Sequence, residues 1–235
     1  MIKKIFVFLL VFLLLIVGAL SYIGVVPFIS PLIAKAKDLG VKTDRELVTK
    51  FDEKYGMKNE LPGGVVADGS EPKYEGSVDL DISLSGEEIS SILEYWKEQY
   101  GMTPIYDVQV RINSDGTGEV SGILDVSTAV LMAKKLGYSN ADIEKAKSYA
   151  KYVAGDLPFY IKGRGGVTNN EVSVNASEIQ IGRVTLPESI AGPVAEASGD
   201  MVERRMKEVP GVNIERLSLE NGKVNLKGTI PNTVK

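Results

Sequence analysis

Two residue types that often act in side-chain catalysis are missing from this chain. It contains neither histidine nor cysteine, which excludes Ser-His-Asp and Cys-His arrangements and the usual zinc sites. Ser148 and Lys151 match the Ser-x-x-Lys pattern of penicillin-binding enzymes, but Lys227-Gly228-Thr229 has the wrong order for the companion motif and no Ser-x-Asn element lies between them. A solvated helix face explains Ser148 and Lys151 better, so we expect no enzymatic activity.

Oxygen ligands for a metal are present, but their spacing does not favour a site. Residues 113–119 resemble part of a calcium loop, yet aligning Gly116 with the required glycine places Arg111 at the first ligand position. A hairpin turn explains this segment. Asp79 and Asp81 share one strand face, which the solvent side of a strand explains more simply than a metal or an acid–base pair. We therefore predict no metal and no cofactor.

Two further motifs have a structural interpretation. Gly163-Arg164-Gly165-Gly166 lacks the spacing and the following helix of a phosphate-binding loop, so it predicts a bulge or a close backbone contact. Arg204, Arg205 and Lys207 would suit anionic lipid headgroups, but they are interleaved with glutamates. That interleaving is typical of an ordinary exposed helix face.

Charge and length set the class of protein. The formal net charge is −4 and the pI is near 5.2, so the chain lacks the basic character of a protein that binds nucleic acid, and nucleic acid is not an expected partner. Beyond the apolar start of the chain, roughly 160 to 200 residues remain, which is enough for one ordinary domain with a sizeable core.

Residues 1–34 predict a membrane anchor. Two lysines are followed by thirty residues without a charge, a run longer than the roughly 20 residues that a helix needs to cross a bilayer. A cleavable signal peptide is the alternative, because Ala19-Leu20-Ser21 loosely fits a cleavage site. The apolar character continues well past that point, which favours an uncleaved anchor that has the lipid bilayer as its partner.

The orientation of this anchor follows from two opposing arguments. Five basic residues soon after the apolar segment, between Lys35 and Lys50, count against export of the C-terminal part under the positive-inside rule. A very N-terminal apolar segment is nevertheless normally read as an export signal. We therefore expect a single N-terminal anchor with an extracytoplasmic ectodomain.

Residues 35–76 predict a membrane-proximal helix and a linker. Thr43 and Glu46 have the spacing of a capping box, and Leu47, Phe51 and Tyr55 recur on one face of the helix that follows. From residue 57 to residue 76 the periodicity is lost among glycines and prolines, which indicates a linker or a long loop.

Residues 77–235 predict an α+β ectodomain in which a twisted antiparallel sheet of hairpins packs with several helices. Alternation over residues 78–84 predicts a half-buried strand, and Ser85 and Glu88 cap the helix that follows it. The longest predicted helix runs from about Pro187 to Glu208. Three hairpins are predicted, with turns at residues 115–116, 169–170 and 221–222.

Two of these helices carry apolar stripes that would face the sheet. The first stripe includes Ile92, and the second is predicted to be buried and includes Ala197. Such stripes form either a filled core or the walls of a ligand groove between the sheet and the helices. The candidate groove residues are Ile89, Leu93, Trp96, Ile190, Val194 and Met201.

The order of these segments resembles that of membrane-anchored bacterial envelope proteins, some of which are thought to resemble tubular lipid-binding (TULIP) domains. The resemblance covers roughly Val78 to Pro231 and follows an N-terminal anchor. The segments that carry it are Leu84-Ser85-Gly86-Glu87-Glu88-Ile89 to Leu93, Val209-Pro210-Gly211-Val212, Glu220-Asn221-Gly222-Lys223-Val224 and Gly228-Thr229-Ile230-Pro231. It implies lipid handling by the ectodomain.

Two functional hypotheses follow from these observations. The first is a non-enzymatic, membrane-tethered ectodomain that binds a lipid or another apolar envelope molecule, which tethering would keep close to the bilayer. The second is an envelope scaffold or assembly subunit whose sheet edge or long helix binds another envelope protein. An enzyme acting on sugar polymers is disfavoured, because no pair of carboxylates is singled out by its context.

Overall fold

The structure is a computed structural model that describes residues 35–60, 72–100, 103–141, 143–144, 156–182 and 184–235. These residues contain four helices and eleven strands. The helices are α1 (Arg45–Tyr55), α2 (Gly86–Tyr100), α3 (Val126–Lys135) and α4 (Glu188–Glu208). The strands are β1 (Lys58–Asn59), β2 (Tyr74–Glu75), β3 (Val78–Leu84), β4 (Ile105–Ile112), β5 (Gly118–Leu124), β6 (Leu157–Thr168), β7 (Glu171–Ile181), β8 (Val184–Thr185), β9 (Asn213–Glu220), β10 (Lys223–Ile230) and β11 (Thr233–Val234).

Eight strands form one antiparallel sheet that divides at β6. Its order is β3-β10-β9-β6-β5-β4, with β7 on the other side of β6 and β8 beyond β7. One edge of β6 pairs with β5 from Leu157 to Gly163 and with β9 at Val167 and Thr168. We call the intervening stretch, Arg164–Gly166, the fork. The predicted α+β class with a large antiparallel sheet is confirmed.

The three predicted hairpins form where turn chemistry favours them. Asn169, Asn170, Asn221 and Gly222 all have positive φ, as two-residue hairpin turns with a left-handed backbone require. Asparagine and glycine adopt this region more readily than other residues. The residues at the turn positions themselves favour these turns, so the sequence predicts them without knowledge of tertiary contacts.

Both local sequence signals and tertiary contacts determine where the helices begin. The capping box of α2 is confirmed, since the Ser85 N–H donates to Glu88 Oε2 at 2.7 Å and the Glu88 N–H donates to Ser85 Oγ at 3.2 Å. The prediction for α1 is wrong by one residue. Asp44, rather than Thr43, is the N-cap and accepts from the Glu46 N–H at 2.8 Å. The Asp44 N–H donates to Ser91 Oγ on α2 at 2.9 Å, so a tertiary contact helps to set this helix start.

Both ends of the predicted linker, residues 57–76, are held by the C-terminus. Strand β1 pairs in parallel with β11, and β2 pairs with the other edge of β11. Each of these strands has two residues, which is too short for an alternating sequence pattern to reveal. Residues 61–71, between β1 and β2, lie outside the described residues.

The predicted anchor, residues 1–34, also lies outside the described residues. Among the helices that the structure does describe, none combines the length and the apolar character that crossing a bilayer requires. Ser148 and Lys151 lie in the undescribed segment before β6.

The buried line of α4 differs from the predicted stripe. Ala191, Ala195 and Gly199 are its buried residues, whereas Ala197 is exposed. A Cβ atom placed on Gly199 would lie 3.6 Å from Val172 Cγ1 on β7. Small residues therefore let the helix approach the twisted strand closely, and the bulkier predicted residues flank this line as half-buried side chains.

Substituting Ala195 by methionine should lower the free energy of unfolding by about 1–3 kcal/mol, because the close contact between α4 and β7 leaves no room for a longer side chain. The same substitution at exposed Ala197 should change it by less than about 0.5 kcal/mol. Denaturant unfolding of the two variants measures this difference. Equal stability of the two variants would show that the helix does not rest on Ala195.

Strands β4 to β7 have one apolar face and one polar face. Cross-strand register aligns Val110, Val120, Ile161 and Ile179 in one row of the apolar face. The neighbouring row belongs to the opposite face, since side chains alternate along a strand. That polar face carries Arg111, Glu119, Lys162 and Glu178 in register.

Candidate functional site

Glu119 is the centre of a buried polar cluster on the polar face. The residue is 5% exposed. Its carboxylate accepts hydrogen bonds from Arg111 Nη2 at 2.8 Å, Asn113 Nδ2 at 3.0 Å and Tyr160 Oη at 2.8 Å. Burial opposes ionisation, but these three partners outweigh it and lower the pKa of Glu119 to about 2. Glu119 is therefore an anion at neutral pH.

The same cluster keeps Tyr160 protonated. Burial and the hydrogen bond to the Glu119 carboxylate raise the pKa of the Tyr160 hydroxyl far above its usual value. A general acid or base works best when its pKa lies near the operating pH. The pKa of Glu119 lies far below neutral pH and the pKa of Tyr160 lies far above it. Neither group is therefore suited to proton transfer near pH 7, which favours a structural role for the cluster.

The segment that follows the predicted anchor lies on this polar face. The Leu39 N–H donates to Gln109 Oε1 at 2.7 Å, and Arg111 Nη1 donates to the Leu39 carbonyl at 3.3 Å. Lys37 Nζ lies 3.4 Å from the centroid of the Tyr160 ring, a cation–π contact. Residues 37–39 therefore cover the cluster and fasten the chain to the sheet.

Helix α2 lies along the outer edge of β4. The Val110 N–H donates to Ser90 Oγ at 2.8 Å. Burial raises the pKa of Glu94, whose carboxyl also accepts from the backbone at Asp107 and Val108. An open strand edge exposes unpaired backbone N–H and C=O groups. Ser90 and Glu94 of α2 form hydrogen bonds with backbone groups along this edge of β4.

The predicted groove residues of α2 lie on the side away from α1. Ser91 faces α1, because its hydroxyl accepts from the Asp44 N–H. Ile89 and Leu93 are each two positions from Ser91, which places them about 160° around the helix from it. The segment before α1 lies on the polar face, so these two side chains are directed toward the apolar face. Both are half-buried, and Trp96 is 39% exposed.

The predicted groove residues of α4 lie on its inner flank. On the outer side, Glu203 Oε1 accepts from the Val172 N–H of β7 at 2.8 Å. On the inner side, Arg204 Nη1 donates to the Leu136 carbonyl at 3.3 Å. Ile190, Val194 and Met201 are half-buried, and helical geometry places them on the flank nearer to Arg204 than to Glu203.

Together these residues border one region of the apolar face, which we call the groove. Its walls are α2, packed on β4, and α4, packed on β7. Three strand spacings separate β4 from β7, or about 14 Å, which exceeds the 8–10 Å between helices in direct contact. Val120, Phe159 and Ile161 form the floor between them and are half-buried rather than buried.

Helix α3 begins beside this groove and leads toward α4. The Asp125 N–H donates to the Pro104 carbonyl at 2.7 Å, and the Tyr138 hydroxyl donates to Asp200 Oδ2 at 2.5 Å. No residue of α3 is buried, and its Leu131 is 62% exposed. Six of its residues between Val126 and Ala133 are nevertheless half-buried, and Leu136, directly after the helix, is 6% exposed, so α3 lies on the domain without being part of its core.

The other sequence motifs have structural partners. Asp79 Oδ1 accepts from the Thr229 hydroxyl at 2.7 Å, and Asp81 lies opposite Lys227 on β10. Residues 163–166 contain the predicted irregularity, since the register with β7 shifts between Lys162 and Gly163. Close backbone contact at this motif is confirmed, because a Cβ on Gly163 would lie 2.3 Å from the Asn175 carbonyl oxygen.

The Glu119 cluster was not predicted from the sequence, although part of its signal is local. The predicted two-residue turn at Asp115-Gly116 would pair Arg111 with Val120, whereas the observed connection of five residues, 113–117, places Arg111 directly opposite Glu119, where opposite charges interact. The contributions of Tyr160 and Leu39 come from distant parts of the chain. They become visible only in the folded structure.

The groove and the polar cluster therefore lie on opposite faces of one sheet. Across the part of the chain that the structure describes, no three acidic, histidine or cysteine side chains are grouped in a way that could hold a metal ion. The groove offers apolar contacts, which suit a ligand with apolar surface. Comparisons with protein-family models, with curated proteins and with solved structures found no match for this chain.

Proposed function

We propose that this protein is a non-enzymatic, membrane-tethered, extracytoplasmic domain that binds a lipid or another apolar envelope molecule in the groove. The observation that carries this proposal is the apolar floor formed by Val120, Phe159 and Ile161, which is only partly buried. Apolar side chains at the centre of a sheet face are normally covered in a stable domain. Covering them with a bound acyl chain would bury apolar surface at about 25 cal/mol per Å².

The helices beside the groove support this function. Wall residues Leu93 and Met201 are half-buried, so each has surface left to contact a ligand. Helix α3, which has no buried residue, would be the element that moves when a ligand enters. The resemblance to tubular lipid-binding domains points to the same class of ligand.

The tether is consistent with this function. The polar-face contacts of Leu39 hold the segment after the predicted anchor against the sheet. A short, fastened connection keeps the groove near the bilayer and raises the effective concentration of membrane lipid there.

Purification of the full chain from a lipid-rich host tests this proposal. After exchange into a nonionic detergent, native mass spectrometry should detect bound lipid at a defined stoichiometry. Met201→Gln should reduce the retained lipid several-fold, because a buried polar amide without a partner disfavours an apolar ligand. Val202→Gln, at the neighbouring position that is 48% exposed, is the matched control and should retain the lipid.

A ligand-free protein that also takes up no added lipid would overturn this proposal. The alternative, a scaffold that binds an envelope protein, has one observation in its favour. Among the described residues, β7 pairs along one edge with β6 and along the other with β8 only at Gln180 and Ile181. The remaining edge includes the uncharged run Ser173–Ser177, and a strand edge without a pairing strand can accept one from a partner.

A further inference from the structure

The chain enters the folded domain across the polar face of the sheet. We call residues 35–42, where the described part of the chain begins, the strap. The Leu39 and Val41 N–H groups both donate to Gln109 Oε1, at 2.7 and 3.3 Å, and Leu39 is 5% exposed. Arg111 Nη1 donates to the Leu39 carbonyl at 3.3 Å. These bonds fix the position of the strap on the polar face.

The predicted anchor ends close to this face. Its last residue, Ala34, lies three residues before Lys37 in the sequence, and three residues of chain span at most roughly 11 Å. Lys37 Nζ lies 3.4 Å from the centroid of the Tyr160 ring, and Tyr160 belongs to the polar face of β6. The polar face is therefore the side of the domain that lies nearest to the predicted membrane.

The strap carries an excess of positive charge. Lys35, Lys37 and Lys42 are exposed, and Asp38 is the only acidic residue in the strap. Three lysines against one aspartate give the strap a net charge of +2, although the whole chain has a net charge of −4. Among the described residues, none of these three lysines forms an ion pair. Their charges are therefore available to an external anion.

The strand residues beneath the strap contribute no net charge. The Glu119 carboxylate pairs with Arg111 at 2.8 Å, and Lys162 lies between Glu119 and Glu178 in the register of β5, β6 and β7. Two cations therefore balance two carboxylates. The positive charge on this side of the sheet comes from the strap, which lies next to the predicted membrane, and anionic lipids attract lysines in such positions.

We propose that the strap and the polar face lie against the surface of the bilayer that holds the anchor, with the strap lysines in contact with anionic lipid headgroups. This inference rests on the membrane tether of the proposed function, but it does not require a ligand in the groove. The groove, on the other face of the sheet, opens away from the bilayer and stays within one domain thickness of it.

Fluorescence quenching on the full chain in lipid nanodiscs tests this arrangement. The chain has no cysteine, so Glu178→Cys and Ala197→Cys each supply a single thiol for a fluorescent label. Glu178 belongs to the polar face of β7, whereas Ala197 is exposed on α4, which packs on the apolar face. In nanodiscs that contain phosphatidylglycerol, lipids with a nitroxide on the headgroup should quench the label at position 178 several-fold more strongly than the label at position 197.

A change of charge tests the headgroup contact. Quenching at position 178 should be weaker in nanodiscs of phosphatidylcholine alone. The double substitution Lys35→Gln with Lys42→Gln should remove most of the difference between the two lipid compositions. Lys134→Gln with Lys207→Gln is the matched control, since it changes the net charge equally at two exposed lysines near the ends of α3 and α4, and it should leave the quenching unchanged.

Equal quenching of the two labels, or stronger quenching at position 197, would overturn the arrangement. Quenching at position 178 that does not depend on phosphatidylglycerol, or a dependence that survives Lys35→Gln with Lys42→Gln, would overturn the headgroup contact. Thr43→Cys, at an exposed position directly after the strap, replaces position 178 if Glu178→Cys does not fold. Lipid retention in the groove is measured separately, by native mass spectrometry in detergent, so each proposal can fail without the other.

Discussion

Replacing Glu119 by glutamine should lower the free energy of unfolding by about 2–4 kcal/mol. The wild-type carboxylate accepts from Arg111, Asn113 and Tyr160 within 3.0 Å. A glutamine amide has nearly the same shape but turns an NH₂ group toward donors that need an acceptor. Denaturant unfolding of the full-length protein in a nonionic detergent, followed by circular dichroism, measures the loss.

The control for this prediction is Glu171→Gln. Glu171 is an exposed glutamate at the start of β7, and its substitution should change the stability by less than about 0.5 kcal/mol. If the two variants lost the same stability, the effect would come from the change in net charge. The hydrogen bonds of the buried cluster would then contribute no measurable stability.

The pH dependence of stability provides a second test of Glu119. Its pKa falls from the ordinary value of 4.5 to about 2 in the folded protein, because the hydrogen bonds from Asn113, Arg111 and Tyr160 outweigh burial. The stabilisation is therefore fully present above pH 4.5 and is lost as the pH falls from there toward 2. The stability difference between wild type and Glu119→Gln should be constant from pH 7 to pH 5 and should shrink by pH 3. A difference that stays unchanged at pH 3 would contradict the ionised state assigned to Glu119.

Gly86→Ala should lower the free energy of unfolding by about 3 kcal/mol or more. A Cβ at this position would lie 2.1 Å from the Val110 carbonyl oxygen and 3.0 Å from its carbonyl carbon. Both atoms belong to the backbone of β4, so no side-chain rotation can relieve the clash. Helix α2 would have to move off the strand edge, which would also weaken the bond between Ser90 and the Val110 N–H.

Gly192→Ala is the matched control, because a Cβ there would meet nothing within 4 Å. Gly192 lies in α4, where alanine is favoured over glycine by roughly 0.5–1 kcal/mol. Pro193 follows it, and a proline disfavours the helical conformation of a preceding residue that carries a Cβ. The two effects oppose each other, so this variant should differ from the wild type by less than about 1 kcal/mol. Thermal unfolding of both variants compares them, and a Gly86→Ala protein as stable as Gly192→Ala would show that α2 is not seated closely on β4.

The sequence alone predicts those elements whose signals are local. Asn169-Asn170 and Asn221-Gly222 select hairpin turns because few other residues adopt positive φ readily. Ser85 and Glu88 form their capping box within four consecutive residues. From these and from the alternation over Val78–Leu84, the α+β class and the three hairpins follow without knowledge of tertiary contacts.

The tertiary structure decided which side chains are buried and where the sheet divides. Helical periodicity predicted an apolar stripe on α4. The residues that pack on β7 are instead Ala195 and Gly199, because a close approach of helix and strand requires small residues. The α1 start moved to Asp44 through its contact with Ser91. Such choices depend on the partner surface, which a single segment does not encode.

The candidate sites also combine features that the sequence predicts with features that only the tertiary structure reveals. The residue types of the groove walls could be predicted from helical periodicity, since hydrophobic side chains recur at helical spacing. The half-buried floor of the groove and the cluster that joins Leu39 and Tyr160 to Glu119 could not. Each of them combines residues that are far apart in the chain. The pairing of β6 with β5 brings Phe159, Ile161 and Tyr160 to their neighbours on β5, and hydrogen bonds with Gln109 and Arg111 bring in Leu39.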